Sequence, residues 1–267
     1  MSRGDRPFLW ALAILGGGYV LLIIAMVGAN VLYTTGEGLR GFASADIRFA
    51  IWFSLVTSSL SALLSTIVAV PLGYLMSRTE FRGKRILDAI LDIPIVLPLL
   101  VVGLSLLILF QTRLGRAFQE NIFPVTYQRV SVVIAQFAVG AAFAVRAMKI
   151  AFDQMTPRSE QVAMTLGCSR AQAFFRVVLP EARRGVLAAF AIAWARSFGE
   201  FGPVLVFSGA TRGKTEVLST TVFLELSVGR LEAAVAVSLF MVVVAMAVLI
   251  VLRFLGPADA VGRAVRP

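Results

Sequence analysis

The chain has 267 residues, 58% of them apolar and only 15% charged, with a mean hydropathy of +0.87; one soluble core of that length has no room for so much apolar surface. Its formal charge of +10 would suit a nucleic-acid partner, but the basic residues sit between apolar runs rather than in one patch, which is the pattern of membrane topology. There is no histidine and a single cysteine, Cys168, so imidazole metal sites, histidine-based triads and a disulfide framework are excluded, and Cys168 reads as a small, half-buried thiol.

Apolar runs follow one another at about 8–31, 49–76, 86–110, 130–152, 186–208 and 233–255. Each approaches or exceeds the ~20 residues that cross a bilayer as a helix, and alternating strands of about ten residues are absent. The expected fold is all-α, a polytopic transmembrane helical bundle of about six helices, forming one domain over residues 1–267. The first run is too long for a signal peptide and lacks a small-residue cleavage site, so it reads as a retained span. Lys and Arg divide fourteen to eight between alternate segments. The richer set holds both termini, the stretch around Arg78–Arg85, and residues 153–185. The positive-inside rule places that set in the cytoplasm.

Two stretches imitate nucleotide-binding motifs. Gly36-Glu37-Gly38-Leu39-Arg40-Gly41 has the GxGxxG spacing but follows a membrane span instead of a strand, so it reads as a flexible loop. Gly209-Ala210-Thr211-Arg212-Gly213-Lys214-Thr215 is one residue short of a P-loop, with Ser208 where the first glycine is needed. No ATP site, and no cofactor of any kind, is expected in this chain.

Ionisable residues within spans are costly unless paired or wet, so each is a candidate for function. Asp88 and Asp92 open the third run on one face, ahead of Pro94 and Pro98. They read either as helix-start carboxylates favoured by the dipole or as part of an inner gate. Arg146 and Lys149, near the inner end of the fourth run, are expected to snorkel to the headgroups. In the fifth run, Arg196 and Glu200 lie four residues apart and can pair, while Gly199, Gly202 and Pro203 permit a bend or a close helix contact. Two readings stand for this run: a buried ion pair with a kink, or a translocation path or gate lined by Arg196, Ser197, Gly199, Glu200, Gly202 and Pro203.

The hydrophilic segment Thr156–Pro180 carries consistent helix signals. Thr156 is placed to cap a helix with Pro157 at its first position. Gly167 suits its left-handed end, Ser169 and Gln172 form a capping box for a second helix, and Leu179-Pro180 stops that helix. Val162 and Leu166 share one face of the first helix; Phe174, Val177 and Val178 form an apolar side of the second. Such a surface helix pair serves as a dock for a partner or as an interfacial linker packed on its own membrane domain.

The spacing Gln161-Val162-Ala163, three residues, Gly167, nine residues, Val177-x-Leu179-Pro180 resembles the EAA loop of bacterial ABC importer permeases. The resemblance implies a coupling helix pair, over about 153–185, that docks on an ATP-binding subunit. It assigns the coupling contacts to Glu160, Gln161, Ala163, Gly167, Val177, Leu179 and Pro180. Gln161 and Val162 stand where the family often has Glu and Ala, and Glu160 stands one place earlier. The run Ala195-Arg196-Ser197-Phe198-Gly199-Glu200-Phe201-Gly202-Pro203 resembles the fifth-span signature of molybdate, tungstate and sulfate permeases. Together these imply the membrane-spanning subunit of a type I ABC importer for a tetrahedral oxyanion, foremost molybdate or tungstate, catalysing no covalent chemistry itself. Sulfate, thiosulfate and ferric iron are the rivals within the family, and an ion-coupled secondary transporter is the rival outside it. The implied partners are a second permease copy, two ABC ATP-binding subunits that hold the ATP, an extracytoplasmic substrate-binding protein and the bilayer, with no nucleic acid. The implied location is the bacterial inner membrane, multi-pass, with both termini cytoplasmic.

Overall fold

The computed structural model describes residues 5–34 and 44–255, and no strand occurs among them. In chain order the helices are α1 (Asp5–Tyr33), α2 (Ala45–Arg78), α3 (Lys84–Val96), α4 (Leu99–Gln111), α5 (Arg113–Asn121) and α6 (Arg129–Asp153). Then come α7 (Arg158–Thr165), α8 (Arg170–Ala173), a π-helical turn over Phe174–Val178, α9 (Leu179–Glu181), α10 (Arg183–Phe198), α11 (Gly202–Phe207), α12 (Leu218–Ser227) and α13 (Leu231–Leu255). The all-α membrane bundle is thus as expected. Gly36–Gly41 lies outside the described residues.

Among the described residues, four stretches are unbroken helices long and apolar enough to cross a membrane: Leu9–Tyr33, Ala45–Arg78, Arg129–Asp153 and Leu231–Leu252. The third and fifth apolar runs are not single helices, and local chemistry explains both breaks. The third bends by 111° between α3 and α4. Pro98 forces the preceding Leu97 into extended backbone, at φ −66° and ψ 142°, because the proline ring clashes with a helical residue before it. The fifth is interrupted at Gly199–Phe201 and resumes in α11 with Pro203 in its first turn, where a missing N–H costs nothing.

The bundle is centred on α2, α6 and α10. Ala50, Ala62, Ala69, Ala144, Ala189 and Ala193 are fully buried there. Small side chains let helix backbones approach, which is how helices associate where lipid is as apolar as the side chains themselves. Gly73 is an extreme case: a Cβ there would come within 2.7 Å of the Met148 Cβ. Serines share this seam; Ser54, Ser58, Ser61 and Ser65 are all buried on α2. A second contact of this kind joins the two broken spans, since a Cβ on Gly103 of α4 would meet the Pro203 Cα of α11 at 2.7 Å. By contrast α1 is unburied along its apolar window and meets the rest of the chain mainly at α13.

The P-loop imitation closes on itself as a tight turn. Gly209 and Gly213 have φ of +73° and +69°, and the buried Thr215 hydroxyl donates to the Gly209 carbonyl at 3.3 Å and accepts from the Thr211 N–H at 3.1 Å.

Candidate functional site

The segment expected to form a surface helix pair does so. In α7, Gly167 at φ +94° ends the helix, with its N–H on the Met164 carbonyl and the Cys168 N–H on the Ala163 carbonyl, each at 3.1 Å. This pair of bonds is the Schellman arrangement, which needs a left-handed residue at that position. The Ser169–Gln172 capping box is formed, with bonds of 3.2 and 2.9 Å. Two details differ from expectation. Pro157 takes the capping position itself, without a side-chain bond, so Thr156 is not the cap. Nor does Pro180 stop the second helix. The π turn lets the Leu179 N–H reach back five residues to the Phe174 carbonyl, and the widened turn accommodates a proline that would clash with a regular α-helix. The helical path therefore runs on through α9 toward α10.

The pair has an inward and an outward side. Outward are Gln161, Val162, Leu166, Phe175 and Pro180, all exposed; Val177 and Leu179 are half-buried, as is Cys168. Inward are Ala163, Ala173 and Val178, together with Glu160, which is 4% exposed. Glu160 is held at the inner end of α2. The Tyr74 hydroxyl donates to its carboxylate, Arg78 Nε lies 3.9 Å away and Arg170 Nε 3.8 Å away. Arg78 also donates to the Met155 carbonyl at 2.8 Å, and the Tyr74 ring packs edge-on against Phe152 and Phe174. The hydrogen bond to the Tyr74 hydroxyl raises the pKa of Arg170. Sequence reasoning found Glu160 but not its partners. The available signal was Tyr74 and Arg78, four residues apart at the end of an apolar run.

A second cluster joins the bent third span to α6. Arg146 donates from Nε to Asp92 at 2.6 Å, from Nη1 to Asp88 at 2.7 Å, and from Nη2 to the Asp88 carbonyl at 3.1 Å. Arg146 thus clamps α3 to α6 and does not snorkel, because Asp88 and Asp92 sit one turn apart on the side of α3 that faces it. Lys149 pairs with Asp153 at 3.2 Å within the last turn of α6.

The third cluster lies at the break in the fifth span. Arg196 Nη1 is 3.0 Å from a Glu200 carboxylate oxygen, and its guanidinium stands over the Phe143 ring, 5.6 Å from the centroid. Glu200, Ser197, Gly202 and Pro203 are buried, Gly199 is exposed, and Arg196 is partly open. Ser219 donates to the Glu200 carbonyl at 2.7 Å, which holds α12 against the break. Below this point an open groove of about 460 Å³ runs along the seam where α10 packs on α6, past Ala147, Ala151, Gln154, Arg184, Ala188 and Ile192; at Gly185 the two helices touch, since a Cβ there would run into the Ala151 Cβ.

At the end of the bundle opposite the helix pair, Arg212 bonds Glu225 at 2.7 Å and lies 3.8 Å from Asp46. Burial pushes the nearby Glu216 carboxyl pKa up. Among the described residues no cluster of His, Cys, Asp or Glu is arranged to hold a metal.

A protein-family profile described as "Binding-protein-dependent transport system inner membrane component" matches residues 69–258. The sulfate transport system permease protein CysT of Salmonella typhimurium is 32% identical over 187 residues, 69% of this chain and 68% of that one. The molybdate/tungstate transport system permease protein WtpB of Pyrococcus abyssi is 32% identical over 202 residues, 76% and 75% of the two chains. A probable molybdenum ABC transporter permease protein of Haloferax volcanii is 33% identical over 245 residues, 91% and 88% of the two. Among solved structures, a chain of the bacterial alginate ABC transporter in complex with alginate pentasaccharide-bound periplasmic protein superposes with a TM-score of 0.73 at 19% identity, covering 95% of this chain and 96% of that one. A chain of the inward-facing MetNI methionine ABC transporter superposes at 0.59 with 19% identity, over 82% and 95%. At such identities the structural likeness speaks for the fold alone.

Proposed function

This chain belongs to the binding-protein-dependent transport system inner membrane components, the type I ABC importer permeases, and we propose that it is the permease subunit of an importer for a tetrahedral oxyanion, with molybdate or tungstate as cargo. The oxyanion reading is supported by relatives named for sulfate and for molybdate or tungstate, each about one-third identical over most of the chain. Relatives named for sulfate and for molybdenum align over equal shares of this chain, 92% and 91%, so molybdate is put forward as the cargo to test first, with sulfate beside it.

The observation that carries the mechanism is the surface helix pair, ended by Gly167 and anchored through Glu160 to α2. In this reading the exposed Val162, Leu166 and Phe175 dock on an ATP-binding subunit, one for each of two permease copies. Residues 1–267 act as one membrane domain with both termini in the cytoplasm. An extracytoplasmic binding protein hands over the anion, and closure of the ATP-binding subunits draws the two helix pairs together. Movement of each pair is passed to α2 through Glu160 and to α10 through the continuous helical path across Pro180. The packed helix contacts then have two arrangements, inward-open and outward-open, and ATP shifts the balance between them. Arg196, Ser197, Gly199, Glu200, Gly202 and Pro203, at the break in the fifth span, form the chain's contribution to the path or its gate.

The test is uptake of labelled molybdate and sulfate into vesicles carrying the permease and its ATP-binding subunits. Uptake that needs the binding protein and ATP on the ATPase side is the expected result. Preference for sulfate would move the cargo within the oxyanion class; transport of neither anion would remove the oxyanion reading.

A further inference from the structure

The ion pair at the break in the fifth span is asymmetric, and its asymmetry has a consequence for transport. The Glu200 side chain is wholly buried, whereas a quarter of the Arg196 side chain is open at the surface of the chain. Arg196 lies thirteen residues beyond Arg183, the first residue of α10, about 20 Å along the axis at 1.5 Å per residue. At that depth a guanidinium turned toward hydrocarbon is strongly disfavoured, so its open side belongs against water or another protein chain.

The groove between α6 and α10 leads to the same point. Its floor is stepped at helical spacing: Ala147 and Ala151 on α6 with Gln154 just past its end, and Gly185, Ala188 and Ile192 on α10. One turn further along each helix stand Phe143 and Arg196, stacked on each other. The groove thus begins near Gln154, at the end of α6 that carries the helix pair, with Glu181 and the exposed Arg184 at its mouth, runs past Ala151, Ala147 and Ala188, and stops one turn short of Arg196, the cation at its inner end.

Resting on the oxyanion-importer reading, we propose that Arg196 is the residue that touches the anion in transit, at the head of the α6–α10 groove, and that Glu200 is a positioning residue behind it. Phe143 and Glu200 hold the guanidinium in one place. The hidden carboxylate also offsets part of its attraction for a dianion, so that the site passes the anion on and does not keep it. A conduction site must bind well enough to admit its ion and weakly enough to release it. Bare, a desolvated arginine facing a dianion satisfies only the first condition.

The experiment uses the complete permease–ATPase complex in nanodiscs or proteoliposomes, saturated with loaded binding protein, with labelled molybdate and labelled sulfate in parallel. Glu200→Gln should slow uptake at least tenfold, leave ATP hydrolysis stimulated, and make the complex retain label that raised salt releases. Glu200→Asp should return toward wild type, and adding Arg196→Gln to Glu200→Gln should abolish the retention. Wild-type turnover without retention in Glu200→Gln overturns the proposal, as does retention that persists in the double variant. If Glu200→Gln fails to assemble, the uncharged pair R196Q/E200Q decides: impaired uptake in an assembled complex supports a role for the guanidinium, and wild-type uptake refutes it. Wild-type complex that imports neither anion would instead remove the oxyanion reading, and this inference with it.

Discussion

Replacing Glu160 by Ala should loosen the helix pair from α2 without unfolding the bundle. Glu160 is almost fully buried and Arg78, 3.9 Å away, has only 9% of its side chain exposed, so the variant leaves a buried guanidinium without its counter-charge. Breaking a buried pair in this way costs ~3–5 kcal/mol. The lower end applies, because Arg78 keeps its bond to the Met155 carbonyl; Arg170, 58% exposed, adds little through water. The Tyr74 hydroxyl also loses its acceptor. A loss of about 3 kcal/mol corresponds to a roughly hundredfold rise in the undocked population of the pair. Hydrogen–deuterium exchange over residues 158–173 is the direct assay, and protection there should fall while that of α2 and α6 is kept. In the reconstituted complex, the ATP-binding subunits should still co-purify while uptake per ATP hydrolysed falls. Glu160→Gln, which keeps a partner for Tyr74, should lie between wild type and Ala. Unchanged protection and unchanged coupling in Glu160→Ala would refute the claim that this carboxylate joins the helix pair to α2.

Further substitutions test other parts of the account. At Gly167 nothing lies within 4 Å of an added Cβ, so Gly167→Val should fail through backbone strain alone, by ~1–2 kcal/mol; Gly167→Asn, which tolerates positive φ, should keep more uptake. Gly103→Ala should force α4 away from Pro203, costing ~1–3 kcal/mol as overpacking does, and should show as a lower melting temperature of the purified permease. Arg146→Lys should not substitute for wild type, because a single ammonium cannot reproduce bonds to both Asp88 and Asp92. Cysteine crosslinking between α3 and α6 would report the loosened contact, and crosslinking at the wild-type yield would contradict the clamp.

Much of this architecture was legible in the residues, for reasons that also explain the failures. The long apolar runs of α1, α2, α6 and α13 announce themselves because a span needs length and little else. The end of α7 at Gly167 and the Ser169–Gln172 box were readable because capping is a local event within four residues. The bends were less so. Pro98 and the Gly199–Pro203 run signalled possible breaks, but whether a proline kinks a span or divides it depends on what packs on the freed backbone, here the Gly103–Pro203 contact between α4 and α11. Pro180 shows the reverse case, a stop signal overridden by a π turn. Pairings such as Arg146 with Asp88 and Asp92, or Glu160 with Tyr74 and Arg78, join residues more than fifty positions apart. No local pattern encodes them; only the packing of α2, α3, α6 and α7 brings the partners together.

The central claim is that this chain converts the work of a separate ATPase into passage of an oxyanion. The most direct measurement is molybdate uptake by vesicles containing the permease, its ATP-binding subunits and the loaded binding protein, with ATP and ion gradients varied independently. The account predicts uptake that stops without ATP or binding protein and continues when the gradients are collapsed. Uptake that survives removal of ATP but vanishes with an ion gradient would contradict it.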